Sequence, residues 1–293
     1  MKKIEIKNVS MKVKKKTILD DISLNIHEGE MIAILGPNGA GKTSLLNSIL
    51  GLCRTRYGVI QNDYKRLPAY KVGVHMQESC INGLMTVREA LNLFLFDGSY
   101  RELTETFQMT DKLNQRIATL SGGEKQKLQL ISMLQNNPEI VFVDEITTGL
   151  DAASRESIIS YLKSEIRDKE KTLVMVTHYF EEVDALAKRV IFMKDGRIIE
   201  DGKKEELFEK HGIKKTIHIE LDRVDTVHAF SKAEVIGNTL VVTVEEKEEM
   251  LRVLNYISEQ AENVISYTMK EPSISELYKK IIGTEAVDNE KIS

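Results

Sequence analysis

The tightest constraint on this chain is one run of eight residues, Gly36-Pro37-Asn38-Gly39-Ala40-Gly41-Lys42-Thr43, which follows directly on the apolar segment Met31 to Leu35. Downstream, Leu45, Leu46, Ile49 and Leu50 recur at helical spacing, so the run joins a buried strand to an amphipathic helix. It completes the pattern G-x-x-x-x-G-K-[ST], the Walker A motif, in the strand-loop-helix setting that the motif needs. Glycines let successive backbone N–H groups turn inward around phosphate oxygens, and Lys42 brings a point charge to the β and γ phosphates. Thr43 offers a hydroxyl to Mg²⁺, and the helix opening at Ser44 adds the positive end of its dipole. Residues 36–44 are therefore expected to bind a nucleoside triphosphate.

A second signal is Ile140-Val141-Phe142-Val143-Asp144-Glu145, four apolar residues that end in two carboxylates. Open α/β sheets bind their ligands at the C-terminal ends of their strands, where these acids fall. Asp144 is placed to hold the Mg²⁺ shell, and Glu145 to orient and polarise an attacking water. Alone, such a strand is equally one stopped by solvated acids; the phosphate loop upstream decides for chemistry.

Short apolar runs alternate with helical stretches through residues 1–215, the order of a parallel sheet covered by helices. Ile4 to Val9 and Ser23 to Ile26 alternate polar and apolar instead, which predicts half-exposed antiparallel strands. Val87 to Leu120 lacks strand runs, as a helical subdomain over about 87–137 would. Buried strands resume at Ile140 to Val143, Leu173 to Thr177 and Val190 to Met193. Beyond 215, Thr216 to Leu221 alternates, Thr239 to Val244 is β-branched, and Lys247 to Ala261 has helical spacing. This predicts a small α/β domain over 216–285, with a polar tail over 286–293.

With 293 residues, 42% of them hydrophobic, the chain can bury a substantial core. Its 41 basic and 45 acidic residues give a formal charge of −4, which leaves no overall basic field for a nucleic-acid partner. Cys53 and Cys80 form no CxxC pair and stand near no histidine pair, as expected in a reducing cytosol. The alternating start Ile4-Glu5-Ile6-Lys7 is not a signal peptide, and no apolar run approaches the roughly 20 residues of a membrane helix. Any membrane role is expected to come from a partner.

Leu120-Ser121-Gly122-Gly123-Glu124 stands shortly before the acidic strand, and with it the chain resembles the ABC ATPases. Alone, Ser-Gly-Gly reads as a helix cap or loop; the order of motifs carries the resemblance. It implies the ABC fold: a P-loop NTPase core with an antiparallel β subdomain and a helical subdomain, here followed by a small C-terminal α/β domain. It further implies that Ser121, Gly122 and Gly123 meet the γ-phosphate of ATP held by the phosphate loop of a second copy. Gln77 resembles the glutamine that contacts Mg²⁺ or the attacking water, His178 the switch histidine on the γ-phosphate, and Asp151 the acid that crosses the dimer interface. By themselves these three read as a surface glutamine, a hydrogen-bonded histidine and a helix-capping aspartate.

Three departures from the family pattern bear on function. Val13 stands where an aromatic residue usually stacks on adenine, which predicts modest ATP affinity and weak discrimination against GTP. Glu124 replaces the usual signature glutamine and is expected to repel phosphate slightly. Ile146 replaces a common proline, leaving the orientation of Glu145 less fixed.

Glu271-Pro272-Ser273-Ile274-Ser275-Glu276-Leu277-Tyr278 resembles the tail of ATPases from bacterial drug, antibiotic and peptide exporters. Its residues describe a capped amphipathic helix, with Ser273 as N-cap, Glu276 in the capping box and Leu277, Ile281 and Ile282 on one face. Gln77 to Leu91, with Met85-Thr86-Val87-Arg88-Glu89, resembles the exporter groove that receives an integral membrane permease. The resemblance implies an ATP-hydrolysing exporter subunit at the cytoplasmic membrane face, dimerising on ATP and using Mg²⁺, with an antimicrobial peptide, antibiotic or toxic amphiphile as cargo. The alternative is a soluble ABC ATPase, in iron–sulfur assembly or another non-transport role.

Overall fold

The computed structural model describes residues 3–76, 81–167, 170–223, 230 and 232–283. Gln77, Cys80 and the tail 286–293 lie outside the described residues. The chain divides into two units, one reaching Lys204 and including the last described residues from Ile281, the other Glu205–Lys280.

The first unit opens with β1 (Lys3–Val13) and β2 (Lys16–His27), an antiparallel hairpin closed at the pair Val13 and Lys16. Next come β3 (Met31–Leu35), α1 (Lys42–Leu50), β4 (Tyr57–Asn62) and β5 (Val72–His75). The helical stretch holds α2 (Val87–Leu93), α3 (Arg101–Thr106) and α4 (Gly122–Leu134). The unit is completed by β6 (Ile140–Asp144), α5 (Ala152–Leu162), β7 (Thr172–Val176), α6 (Phe180–Leu186), β8 (Arg189–Lys194) and β9 (Arg197–Lys203).

Two sheets result: a three-stranded antiparallel one in the order β2-β1-β4, and a six-stranded one in the order β5-β6-β7-β3-β8-β9, parallel except at β9. Every residue of β3, β6 and β7 is buried, because a parallel sheet is covered on both faces. That coverage explains why these strands read as unbroken apolar runs. Leu45, Leu46 and Ile49 of α1 are fully buried in the same core, each worth about 1.5–3 kcal/mol of apolar burial. The Arg189 guanidinium clamps the far side, donating to Asp201 at 2.7 Å twice and to Glu30 at 3.1 Å. Neither β4 nor β9 is marked in the sequence by an apolar run.

The second unit takes in α7 (Lys204–Lys210) after its first residue, β10 (Lys215–Leu221), β11 (Ala233–Ile236), β12 (Thr239–Val244), α8 (Lys247–Glu259), β13 (Val264–Lys270) and α9 (Ile274–Ile282) as far as Lys280. Its sheet is antiparallel in the order β11-β12-β10-β13, with a core of Ile217, Ile219, Leu240, Val242 and Val253. Within this unit Lys280 Nζ donates to the His211 carbonyl at 2.7 Å and ties the end of α7 to α9. Glu276 N–H donates to Ser273 Oγ at 3.3 Å, the cap that the sequence marks.

Candidate nucleotide site

The phosphate loop leaves the buried end of β3 and enters α1 through glycines whose conformations an L side chain resists. Gly36 has no room for a Cβ, which would stand 2.1 Å from the Met193 carbonyl oxygen. Gly41, the N-cap of α1, has φ +100°, and its Cβ would meet the Ile18 carbonyl at 2.7 Å. Between them, Ala40 N–H donates to Pro37 O at 3.0 Å and Ala40 O accepts from Gly196 N–H at 3.1 Å. The first helical bond runs from Leu45 N–H to Gly41 O at 2.8 Å, so the amides of Lys42, Thr43 and Ser44 sit at the open helix N-terminus. Asn38, Gly39 and Thr43 are exposed, and the loop thus faces solvent with its donors.

Lys42 is 94% removed from solvent, at 6% exposure, and its Nζ donates to the carbonyls of Gly36 at 2.5 Å and Pro37 at 3.2 Å. The ammonium is held inside the loop's own curve, where phosphate oxygens add to carbonyl partners already in place.

Asp144 ends β6 at 2% exposure and hydrogen-bonds the Thr43 hydroxyl. Burial pushes its carboxyl up, with Glu145 adding to the rise, while Thr43, Lys42 and His178 oppose it. A buried carboxylate beside a hydroxyl and a phosphate loop suits Mg²⁺, which takes one or two carboxylates and draws its other ligands from phosphates and water. Among the described residues no group of three acids, histidines or cysteines stands ready as a metal cage, and a site completed by the nucleotide needs none.

Glu145 takes a left-handed conformation, φ +55°, which turns its side chain back over the strand ends. Its N–H donates to Val176 O at 2.9 Å. Oε1 lies 3.2 Å from His178 Nε2, just beyond β7, and Oε2 accepts the Thr148 hydroxyl at 3.2 Å. The hydrogen bond to His178 holds the Glu145 carboxyl below its ordinary range against the opposing effect of burial. Ile146 therefore does not leave Glu145 loosely aimed: imidazole, hydroxyl and backbone fix it.

The signature forms a separate cluster. Ser121 caps α4, with Oγ accepting the Glu124 N–H at 3.2 Å and Ser121 N–H donating to Glu124 Oε2 at 2.8 Å. Glu124 Oε1 also pairs with Lys112 at 3.3 Å. The Glu124 charge is thus engaged by the helix cap and by Lys112. Asp151 caps α5, accepting the Ser154 N–H at 2.9 Å and the Ser154 hydroxyl at 2.8 Å. The two caps are joined: Gln126 Nε2 donates to Thr148 O, and a Cβ on Gly123 would touch Leu150 at 3.2 Å.

The structure thus brings the phosphate loop, Asp144, Glu145 and His178 together, and groups Ser121, Gly122 and Gly123 with the Asp151 loop. Among the described residues no hydrogen bond or ion pair joins Ser121 to residues 36–44. Val13 stands at the hairpin tip, 53% exposed. Sequence reasoning missed Thr148, which carries no motif of its own and differs from Thr147 only through the turn that Glu145 makes. His75, next to Val143 in the sheet, is also buried, at 3% exposure, and burial lowers its pKa to about 4 against an opposing backbone interaction with Asp144.

A phosphate loop after β3, an acid-tipped β6 on the far side of β7 and a histidine poised on its carboxylate define a P-loop ATPase. Residues 19–148 match the family described as ABC transporter. The Nod factor export ATP-binding protein I of Rhizobium leguminosarum bv. viciae is 35% identical over 222 residues, 71% of this chain and 71% of that protein. Its counterpart in Sinorhizobium fredii is 30% identical over 306 residues, 97% of this chain and 87% of that protein. The dimeric structure of a post-hydrolysis state of the ATP-binding cassette MJ0796, bound to ADP and Pi, superposes with a TM-score of 0.60 at 29% identity, over 68% of this chain and 98% of that one. The chain belongs to the ABC transporter family, as one of its ATP-binding, ATP-hydrolysing subunits. No helix among the described residues is long and apolar enough to cross a membrane.

Proposed function

We propose that this chain drives an exporter: two copies close head to tail on ATP and work on a separate integral permease. The observation that carries this reading is the split of the site into two clusters within one chain. Each copy has a phosphate grip and a signature cap, and among the described residues no hydrogen bond or ion pair joins Ser121 to the phosphate loop.

In this reading the amides of residues 39–44 and Lys42 hold the β and γ phosphates, and Val13 faces adenine. Thr43 and Asp144, with Gln77, would hold Mg²⁺, which would supply positive charge to the phosphate oxygens. Glu145 orients the attacking water and accepts its proton as the water oxygen bonds to the γ-phosphorus and ADP departs. His178 steadies both Glu145 and the γ-phosphate. Ser121, Gly122 and Gly123 of the second copy cover the same phosphate, and Asp151 crosses between copies. The second copy's contacts to the γ-phosphate exist only in the closed pair, so hydrolysis shifts the population open.

Permease docking is supported by a cavity of about 460 Å³ lined by Tyr70, His75, Met76, Phe94 and Phe96 among others, close in sequence to Gln77. Tyr70 and Phe96 stack at 5.3 Å, and Phe96 and Leu84 are 65% and 74% exposed, an apolar surface for a partner to cover. The export direction is supported by the relatives' names. An antimicrobial peptide, antibiotic or toxic amphiphile as cargo rests on the tail around Ser273 alone.

Purification from native membranes tests the reading. An integral subunit that co-purifies, and is released when Leu84 is replaced by a charged residue, is the expected result. Recovery of the chain only in soluble complexes would replace the exporter with a soluble ABC ATPase.

A further inference from the structure

Glu182, in the first turn of α6, is fully buried and has no part in the reaction drawn above. Its Oε1 accepts the hydroxyl hydrogen of Thr147, and the hydroxyl of Thr177 bonds to the same carboxyl. Both threonines are sealed from solvent, at 0% and 1% exposure. Thr147 belongs to the loop between Glu145 and Asp151, and Thr177 immediately precedes His178. The second loop is itself braced, since Tyr179 N–H donates to Thr177 Oγ1 at 3.0 Å and Glu182 N–H to Tyr179 O at 3.1 Å. Arg155 of α5 stacks over the Tyr179 ring at 4.1 Å, and its charge acts on Glu182. One carboxyl therefore spans the loops after β6 and β7, the two that deliver Glu145 and His178.

Packing alone does not account for a carboxyl here. Burial of this group is costly, and an apolar side chain of similar size would fill the space without that cost. Oε2 is buried without a hydrogen-bond partner, while Oε1 accepts the Thr147 hydroxyl. Burial pushes the Glu182 carboxyl up, against the bonds from Thr147 and Thr177 and the charge of Arg155.

We propose that Glu182 is a positioning residue for hydrolysis: by tying Thr147 to Thr177 it keeps Glu145 and His178 in contact, and it carries any shift of the Asp151 loop to His178. This rests on the reading of Glu145 and His178 given under Proposed function. Closure of the second copy on Asp151 then reaches the histidine through a single side chain.

Steady-state ATP hydrolysis and ATP binding by E182A, E182Q, T147V, H178A and the E182A/H178A pair test the proposal. E182A is expected to lower kcat by at least about ten-fold, the scale of a small misalignment of reacting groups, with ATP affinity within about two-fold because the phosphate loop is untouched. E182Q, whose amide oxygen accepts the same hydroxyls, should recover kcat to within about three-fold. With His178 already removed, E182A should cost nothing further, as expected for residues acting in series. T147V deletes only the hydroxyl and should slow turnover in the same direction, which keeps the test open if E182A fails to fold. Wild-type kcat in both E182A and T147V, or losses that add fully to those of H178A, would overturn the strut while leaving the hydrolysis reading in place. Wild-type hydrolysis by H178A would instead overturn the parent reading, and the strut with it.

Discussion

Glu145 Oε1 and His178 Nε2 stand 3.2 Å apart across the ends of β6 and β7, two strands that pair directly in the central sheet. The contact exists because Glu145 turns into a left-handed conformation, a costly choice for a residue with a Cβ, and its N–H bond to Val176 stabilises that turn. The same contact gives the pair a pH signature. His178 lowers the folded-state pKa of Glu145 below the ordinary 4.5. The stabilisation is therefore complete above that value and is lost as pH falls through the lowered one. H178A is expected to unfold about 1 kcal/mol more easily than wild type near neutral pH, with the gap closing in acid. Urea midpoints across the acid range check this; a gap independent of pH would contradict it.

Gly41 and Gly39 separate strain from crowding. Both have positive φ, +100° and +82°, but only Gly41 would press a Cβ on backbone, at Ile18 O. G39A should cost about 1–2 kcal/mol of stability for the conformation alone, and G41A more than that. Thermal melts of the two variants give the order, and G41A should also weaken ATP binding.

Ser121 and Glu124 form one capping box, so their variants should diverge. S121A is expected to lose about 0.5–2 kcal/mol of stability along with ATP-dependent dimerisation. E124Q keeps the box, since glutamine serves equally at that position, and should hydrolyse ATP within about two-fold of wild type. A large gain in activity from E124Q would support the idea of phosphate repulsion.

Val13 is exposed at the hairpin tip and offers the base no aromatic face. V13Y is expected to tighten ATP binding by about 1 kcal/mol, roughly five-fold, and to sharpen selection against GTP. Unchanged affinities in a nucleotide titration would remove Val13 from the base site.

Disabling the proposed water-orienting acid tests the dimer. E145Q should bind ATP, stay closed as a pair in sedimentation and turn over at least about 100-fold more slowly. A variant that remains monomeric with magnesium and ATP would count against head-to-tail closure.

The parallel core and the phosphate loop are legible in the order of residues. Strands buried on both faces must be apolar throughout, as in β3, β6 and β7, and phosphate binding demands glycine and lysine at fixed spacing. Those constraints are local and leave a linear trace. The strands β4, β9, β11 and β13 left little trace, because each lies at or near a sheet edge where exposed positions tolerate many residue types. Only folding set how Glu145 is aimed, paired Glu124 with Lys112 and brought Thr147, Thr177 and Glu182 together. Each of these depends on a turn or a contact between residues separated along the chain, and a buried hydrogen bond acquires its strength only once folding has excluded water from around it.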